Sequence, residues 1–589
     1  MSQNHPDTLT HHAMLVAWGQ FAQSIGLIRE MESVPLHQKK VEHSPQTKIL
    51  EFLVANLAGL KYLQELSKSA HPIDQDQAVA KAWLQSGWAD YSGVSRTLSG
   101  LDQKEAEQIA HVLDRITQPI LAEEVMQALQ HTGKLVYDGD LTARPVSNTS
   151  TTYPGVAYGH MSDGLQLGYQ VAMVSLHSPT YGRFWLSAVS HPGDTVSCTE
   201  TEALVRSAET KSGYRPLRRS DLLRLRIQAL ETEYQERQKQ IQESLQTREG
   251  LRARLFKTQE QLSEQPKTLA QLEAQYQERQ RRERPYSALT KARQRLSMLE
   301  RRLGRMEKKL AKLEKLLRDY QEQLLLHQAE VQQLQQRLGQ FEEDNRTNPF
   351  PIQAIFRLDA GFGTRQNVAF LIEMGYEAYT KPYCDWLTPR LKREVEQQDR
   401  VWTRVGGNAE MVAWPARQLT DFPYPLDIAL ERFYTGQTQR YGTLLHFGTD
   451  PVTTNLPDWF HRYNARQLIE AGIKEGKNVF EMHHLKVRSA PAIFLQEQLA
   501  VFAANFVRWS ARWLSDQCLQ LPAGWQNTAQ PKVKEQVKVA AHTSAWVSWQ
   551  DQGCLLMFTD QSLFAGWSLS AKKEWAVQLP LPFSKNAHF

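Results

Sequence analysis

Cysteine is scarce in this chain of 589 residues, with four in all (Cys198, Cys384, Cys518 and Cys554), and none stands at a metal-ligand or paired spacing. That excludes a disulfide framework and a zinc ribbon, and leaves ordinary reduced thiols. No run of purely apolar residues approaches the ~18 needed to cross a bilayer, and the start MSQNHPDTLTHHAML lacks the basic-then-apolar order of a signal peptide. The expectation is a cytoplasmic protein with no membrane partner. No charge of one sign dominates, since 69 Lys and Arg face 64 Asp and Glu for a net +5. A polyanionic partner is compatible with that balance, but only the distribution of charge can argue for one.

What is present is length and sharply changing pattern. At roughly 100–200 residues per domain the chain predicts several units. Residues 1–130 carry apolar positions at three- and four-residue intervals, as in ILEFLVANLAGLKYLQEL, and predict a helical region. Within it AVAKAWLQSG, WADY and SGVSRTL suggest helix, turn, helix, with a second helix from Ser92 that would point Ser95 and Arg96 at DNA. A plain helical hairpin accounts for the same residues.

Between 131 and 214 the pattern changes again, with a period of two over 134–192. KLVYDGD, LGYQVAMVSLHS and YGRFWLSAVSHPG predict three strands, and TETEALVRSAETKSG a helix. From 215 to 346 the seam Leu296, Leu299, Leu303, Met306, Leu310, Leu313, Leu317, Tyr320, Leu324, His327, Val331, Leu334, Leu338 and Phe341 marks a coiled coil. Prolines 266 and 285 predict breaks, so an antiparallel hairpin is expected, with a basic tip near QRRERPYS. A helix from Tyr286 to Asn345 would be about 90 Å long. Residues 347–515 alternate strands and helices, with a β-rich segment at about 401–450, and 516–589 predict a small β module.

Two apolar strands end in acids. KLVYDGDLT carries Asp138 and Asp140, and AIFRLDAGFG carries Asp359. A carboxylate there is poor core filler, because burying it unpaired is expensive and open sheets present ligands at strand ends. A third acid lies in YNARQLIEAGIKEGK. On one continuous helix, taking Tyr463 as zero, Arg466 falls at about 300°, Glu470 at about 340° and Lys477 at about 320°. An i,i+4 pair between Arg466 and Glu470 explains two members of that polar stripe. The other two call for a further reason. Acids from two strands and one helix can enclose divalent ions, and two such ions about 3.5–4 Å apart are what phosphodiester attack requires.

The spacing Tyr463, Arg466, Glu470, Lys477 matches the YREK signature of bacterial insertion-sequence transposases, and the chain resembles a DDE transposase of that group. The resemblance covers about 134–205 and 350–510. It implies an α/β fold with an RNase H-like mixed sheet flanked by helices, a helical N-terminal DNA-binding region, and the hairpin and β module as additions. It implies that Asp359 and Glu470 are the second and third metal-binding acids. Asp140 fits the first through Asp140-Leu141-Thr142, while Asp138 follows the apolar strand more directly. It also implies two Mg²⁺ ions, replaceable by Mn²⁺, and Tyr463, Arg466 and Lys477 facing the DNA backbone. The β-rich segment is then a candidate insertion in which Trp402 would stack on a flipped base, or would simply pack.

The activity implied is cut-and-paste transposition: binding of terminal inverted repeats, metal-dependent strand cleavage, and strand transfer into target DNA, by a homodimer on double-stranded DNA. The alternative is a catalytically inactive, domesticated DNA-binding or architectural descendant.

Overall fold

The helical pattern of the first 130 residues folds behind a short strand, β1 (Thr8–Thr10), as α1 (Ala13–Ser24), α2 (Leu27–Glu32), α3 (Pro45–Leu57), α4 (Glu65–Lys68), α5 (Gln77–Ala82), α6 (Tyr91–Ser99) and α7 (Gln103–Thr132). A computed structural model describes residues 8–38, 42–161, 164–278, 286–384, 386–420, 422–517, 532–550, 553–558 and 578–582. Cys518, the basic tip at 280–285 and most of 516–589 lie outside the described residues.

Helix starts follow capping chemistry. Asp90 accepts from the Gly93 amide at 2.8 Å, so α6 begins before Ser92, and Asp102 with Glu105 forms a capping box on α7. The expected helix-turn-helix pair is not a packed pair: α5 packs chiefly on α1, and α6 on α3 and α4.

The period-two segments form one mixed sheet. Its strands are β2 (Lys134–Pro145), β3 (Ala157–Met161), β4 (Gly164–Ser178), β5 (Gly182–Pro192), β6 (Gln353–Arg357), β7 (Glu377–Thr380), β8 (Thr403–Gly406), β9 (Ala409–Arg417), β10 (Leu426–Thr435) and β11 (Thr438–Phe447). The order is β3-β4-β2-β6-β7-β11-β10-β9-β8, with β5 also paired to β4. β2, β6 and β7 run parallel, while β4 is antiparallel to both β2 and β5. The segment at 401–450 is therefore not a separate insertion in space, because β11 pairs directly with β7 and extends the same sheet.

Helices flank this sheet: α8 (Thr201–Ser212), α11 (Arg365–Glu373), α12 (Leu387–Gln398), α13 (Leu456–Asn464), α14 (Gln467–Asn478) and α15 (Ala490–Gln517). α15 holds a stretch, Ala490–Leu514, long and apolar enough to cross a membrane, contrary to the expectation from runs alone. It is instead a core helix packed on α7, α3 and β5, with Leu495, Leu499, Phe506 and Val507 fully buried.

β1 pairs with β12 (Ala545–Gln550), which continues to β13 (Gly553–Phe558) and β14 (Gln578–Pro582), behind the short helix α16 (Val533–Lys538). The N-terminal helices, the large sheet and the β module thus belong to one unit, Met1–Leu217 with Phe350–Phe589. Among the described residues, neither those of 1–130 nor those of 516–589 form a unit of their own.

The second unit, Arg218–Pro349, is the antiparallel hairpin of α9 (Ser220–Glu278) and α10 (Tyr286–Arg346). Every seam residue named from the sequence is buried or half-buried, and Phe341 is fully so. Cross-pairs Arg252–Glu314 (2.6 Å) and Arg226–Glu330 (2.9 Å) fix the antiparallel register. Pro266 does not break α9: packing along α10 outweighs the roughly 3 kcal/mol of an interior proline.

Candidate functional site

The parallel register of β2 with β6 sets Asp138 beside Arg357. Two residues beyond that last pair stand Asp140, still on β2, and Asp359, in the turn just past the end of β6, so the register brings two acids to the carboxyl end of β6. Asp140 spends one oxygen on the Leu141 amide at 2.8 Å, and Asp359 one on the Gly361 amide at 2.9 Å. Their second oxygens converge on Arg466, at 3.2 and 3.9 Å from Nη2, and Glu470 meets Nη1 of the same guanidinium at 2.7 Å. One cation lies among three carboxylates.

The side chain of Arg466 is only 8% exposed, whereas those of Asp359 and Glu470 are 40% and 52% exposed. Burial of Asp140, reinforced by the charges of Asp359 and Glu470, pushes its carboxyl up to about 6 although Arg466 pulls the other way. For Arg466, burial opposes the charge, but Asp140 and the other acids outweigh it and hold the guanidinium above its ordinary value.

The helix carrying Glu470 is held on the sheet by its small face. Gly472 lies against the Arg183 guanidinium, where an added Cβ would come within 2.3 Å, and Gly476 against the Met482 sulfur. Arg183 and Arg508 both grip Glu475, at 3.2 and 2.7 Å, and Ile469 is fully buried. Tyr463 to Lys477 is not one helix. Three successive i to i−3 hydrogen bonds, Arg466 to Tyr463, Leu468 to Ala465 and Ile469 to Arg466, turn the chain between α13 and α14. Arg466 sits at that corner, which aims it inward at the acids.

The other expected site residues divide. Asp138 does not join the cluster: 2% exposed, it receives both Nε and Nη2 of Arg357 at 2.6 and 2.7 Å and serves as a buried structural pair. Tyr463 does not face outward either. It is 7% exposed in an apolar cluster with Trp459, Leu456, Tyr379 and Leu444, with the Lys381 ammonium over its ring. Lys477 is half-buried, and burial, with Arg144 adding repulsion, lowers its affinity for a proton while Asp140 partly restores it. On α6, Arg96 is exposed and Ser95 half-buried. Trp402 precedes β8 and carries the Arg432 guanidinium 3.9 Å from its ring centre, which covers that face of the ring.

Beside the acids opens a cleft of about 630 Å³, lined by Leu141, Thr142, Gly361, Lys477 and Tyr383 on one part and by Tyr158, His160, Leu165 and Thr195 on another. Tyr158, Leu165 and Tyr383 are more than half exposed there. Lys477 apart, nothing in local patterning singled out these residues, because the cleft is assembled from β2, the β3–β4 hairpin, α14 and three loops. The buried ion pairs Asp138–Arg357 and Arg144–Glu497 were likewise invisible, since each partner lies hundreds of residues from the other.

Compared with models of known protein families and with curated proteins, the chain matches none.

Proposed function

We propose that this chain is a DDE transposase with an RNase H-like catalytic domain, acting on the ends of an insertion sequence. The observation that carries the reading is the convergence of Asp140, Asp359 and Glu470 on one guanidinium, from positions far apart in the chain. A mixed sheet whose first acid-bearing strand lies between an antiparallel strand on one side and parallel strands on the other accords with that domain.

Three hard carboxylates that already balance a cation fit Mg²⁺ by the chemistry of the donor set. Asp140, Asp359 and Glu470 would hold two such ions, which supply activation of a water or 3′-hydroxyl and stabilisation of the leaving oxygen. The protein's own groups do the rest. Arg466, released from the acids, grips two phosphate oxygens at once, and Lys477 in the cleft beside Asp140 adds a second positive contact. Asp140 must lose its proton before it can serve as a ligand. The exposed Arg96 of α6 offers a further backbone contact outside the cleft.

The test is cleavage of a DNA carrying the sequences that flank the gene. Wild-type protein with Mg²⁺ or Mn²⁺ nicks at the element's ends, and Asp140→Ala, Asp359→Ala and Glu470→Ala each bind those ends without cutting. If all three variants cut like wild type, the reading is wrong. End binding without cleavage by the wild type would favour the architectural alternative.

A further inference from the structure

Beyond the end of α14 the chain folds back on itself in a way the proposed function does not use. The Met482 amide donates to the Gly476 carbonyl at 3.0 Å, and its side chain lies on Gly476. This reversal passes through Glu481, a non-glycine residue at φ +54°, and the His484 amide closes a turn onto the Glu481 carbonyl at 3.0 Å. Gln496 of α15 braces the loop from the other side, donating to the His484 carbonyl at 2.8 Å and accepting from the Lys486 amide at 2.9 Å. The consequence is that Glu481, His483 and His484 aim at one point, with ligand atoms all within 4.8 Å of one another.

The contacts among them are unsatisfied as they stand. Oε2 of Glu481 lies 3.7 Å from His484 Nε2 and 4.0 Å from His483 Nε2, both too long for hydrogen bonds. The imidazole rings lie against each other, centroids 3.8 Å apart. Each imidazole offers a ring nitrogen as a ligand atom to the same point. The other carboxylate oxygen, Oε1, is fixed by Lys538 at 2.8 Å, which orients Oε2 towards the imidazoles as outer hydrogen bonds orient metal ligands. Ligands about 2.0–2.1 Å from a tetrahedral ion stand roughly 3.4 Å apart, so the two carboxylate–imidazole separations of 3.7 and 4.0 Å must shorten by about 0.3 and 0.6 Å, and the imidazole pair by at most about 1.4 Å, to complete the site.

We propose that Glu481, His483 and His484 bind one borderline transition-metal dication of the Zn²⁺ class, with solvent as the remaining ligand. Two imidazoles and a carboxylate select Zn²⁺, Co²⁺ or Ni²⁺ over Mg²⁺, which separates this site chemically from the acids at Arg466. The bound ion pins the loop that terminates the helix bearing Glu470 and Lys477, and so acts as a structural clip. The inference stands whether or not the chain is a transposase.

Full-length protein stripped with a chelator and titrated with Zn²⁺ against a chromophoric competitor is expected to bind one equivalent. Co²⁺ in its place should give the visible absorption of a tetrahedral or five-coordinate nitrogen–oxygen site. His483→Ala and His484→Ala should each weaken Zn²⁺ binding at least about tenfold, and remove the rise in Tm that Zn²⁺ gives the wild type. Glu481→Gln, which keeps the shape of the loop, should weaken it too, while Asp140→Ala and Asp359→Ala leave it unchanged. No stoichiometric Zn²⁺ binding by the wild type, or binding that survives in His483→Ala/His484→Ala, overturns the proposal. So does loss of binding in the Asp140 and Asp359 variants alone.

Discussion

Asp138 and Asp140 point to the same face of one strand, two residues apart, and their surroundings give them opposite work. Truncating Asp138 strands the buried Arg357 charge, so Asp138→Ala should lose about 3–5 kcal/mol of stability in denaturant titrations. Asp140→Ala relieves a crowded set of carboxylates and should unfold at nearly the wild-type midpoint while losing cleavage. The proton on Asp140 sets a pH window. With its carboxyl titrating at about 6, metal binding is proton-free and flat above that value, and below it affinity falls by about tenfold per pH unit, measurable by Mn²⁺ titration. Arg466 competes for the same oxygens. Arg466→Met should therefore tighten Mn²⁺ binding in the absence of DNA by at least about tenfold and weaken DNA-end binding, and unchanged metal affinity would contradict its place among the acids. The residue types of this site were legible from strand ends and the spacing at 463–477. Which of two aspartates serves was not, because the choice depends on Arg357, 219 residues further on.

At the scale of elements, helices and strands with strong periodicity were readable and the exceptions have physical causes. The described part of α10, Tyr286–Arg346, carries the whole heptad seam from Leu296 to Phe341. Inside the β-rich segment expected at about 401–450, LDIALERFYT interleaves charged and apolar residues, and pairing with β9 and β11 resolves it into a strand. The single helix drawn through Tyr463 and Lys477 failed at a 3₁₀ corner that no proline or glycine announces, and with it went the outward tyrosine. α14 depends on closeness that only glycine permits. Gly472→Ala would drive a methyl into the pinned Arg183 guanidinium, an overpacking expected to cost about 1–3 kcal/mol. The same shift moves Glu470, so cleavage should fall together with Tm. A variant that keeps full activity would show that the helix position is not set there.

Over the whole molecule, the hairpin leaves and re-enters the larger unit at neighbouring points, since the Ile352 amide donates to the Arg215 carbonyl at 3.3 Å. Replacing residues 218–349 by a few glycines should leave the remaining unit folding cooperatively, with Tm within a few degrees of wild type by calorimetry. If the hairpin joins two protomers on paired ends, that deletion lowers the mass of the DNA complex in light scattering, and a dimeric complex that persists removes the bridging role. A different consequence attaches to the small sheet in which Thr8 faces Val547. A ribosome adding about 5–20 residues per second needs roughly half a minute to two minutes between making the first of these partners and the second. For that interval the nascent chain holds β1 without its mate, and the small sheet closes only after synthesis has passed the ten-stranded one.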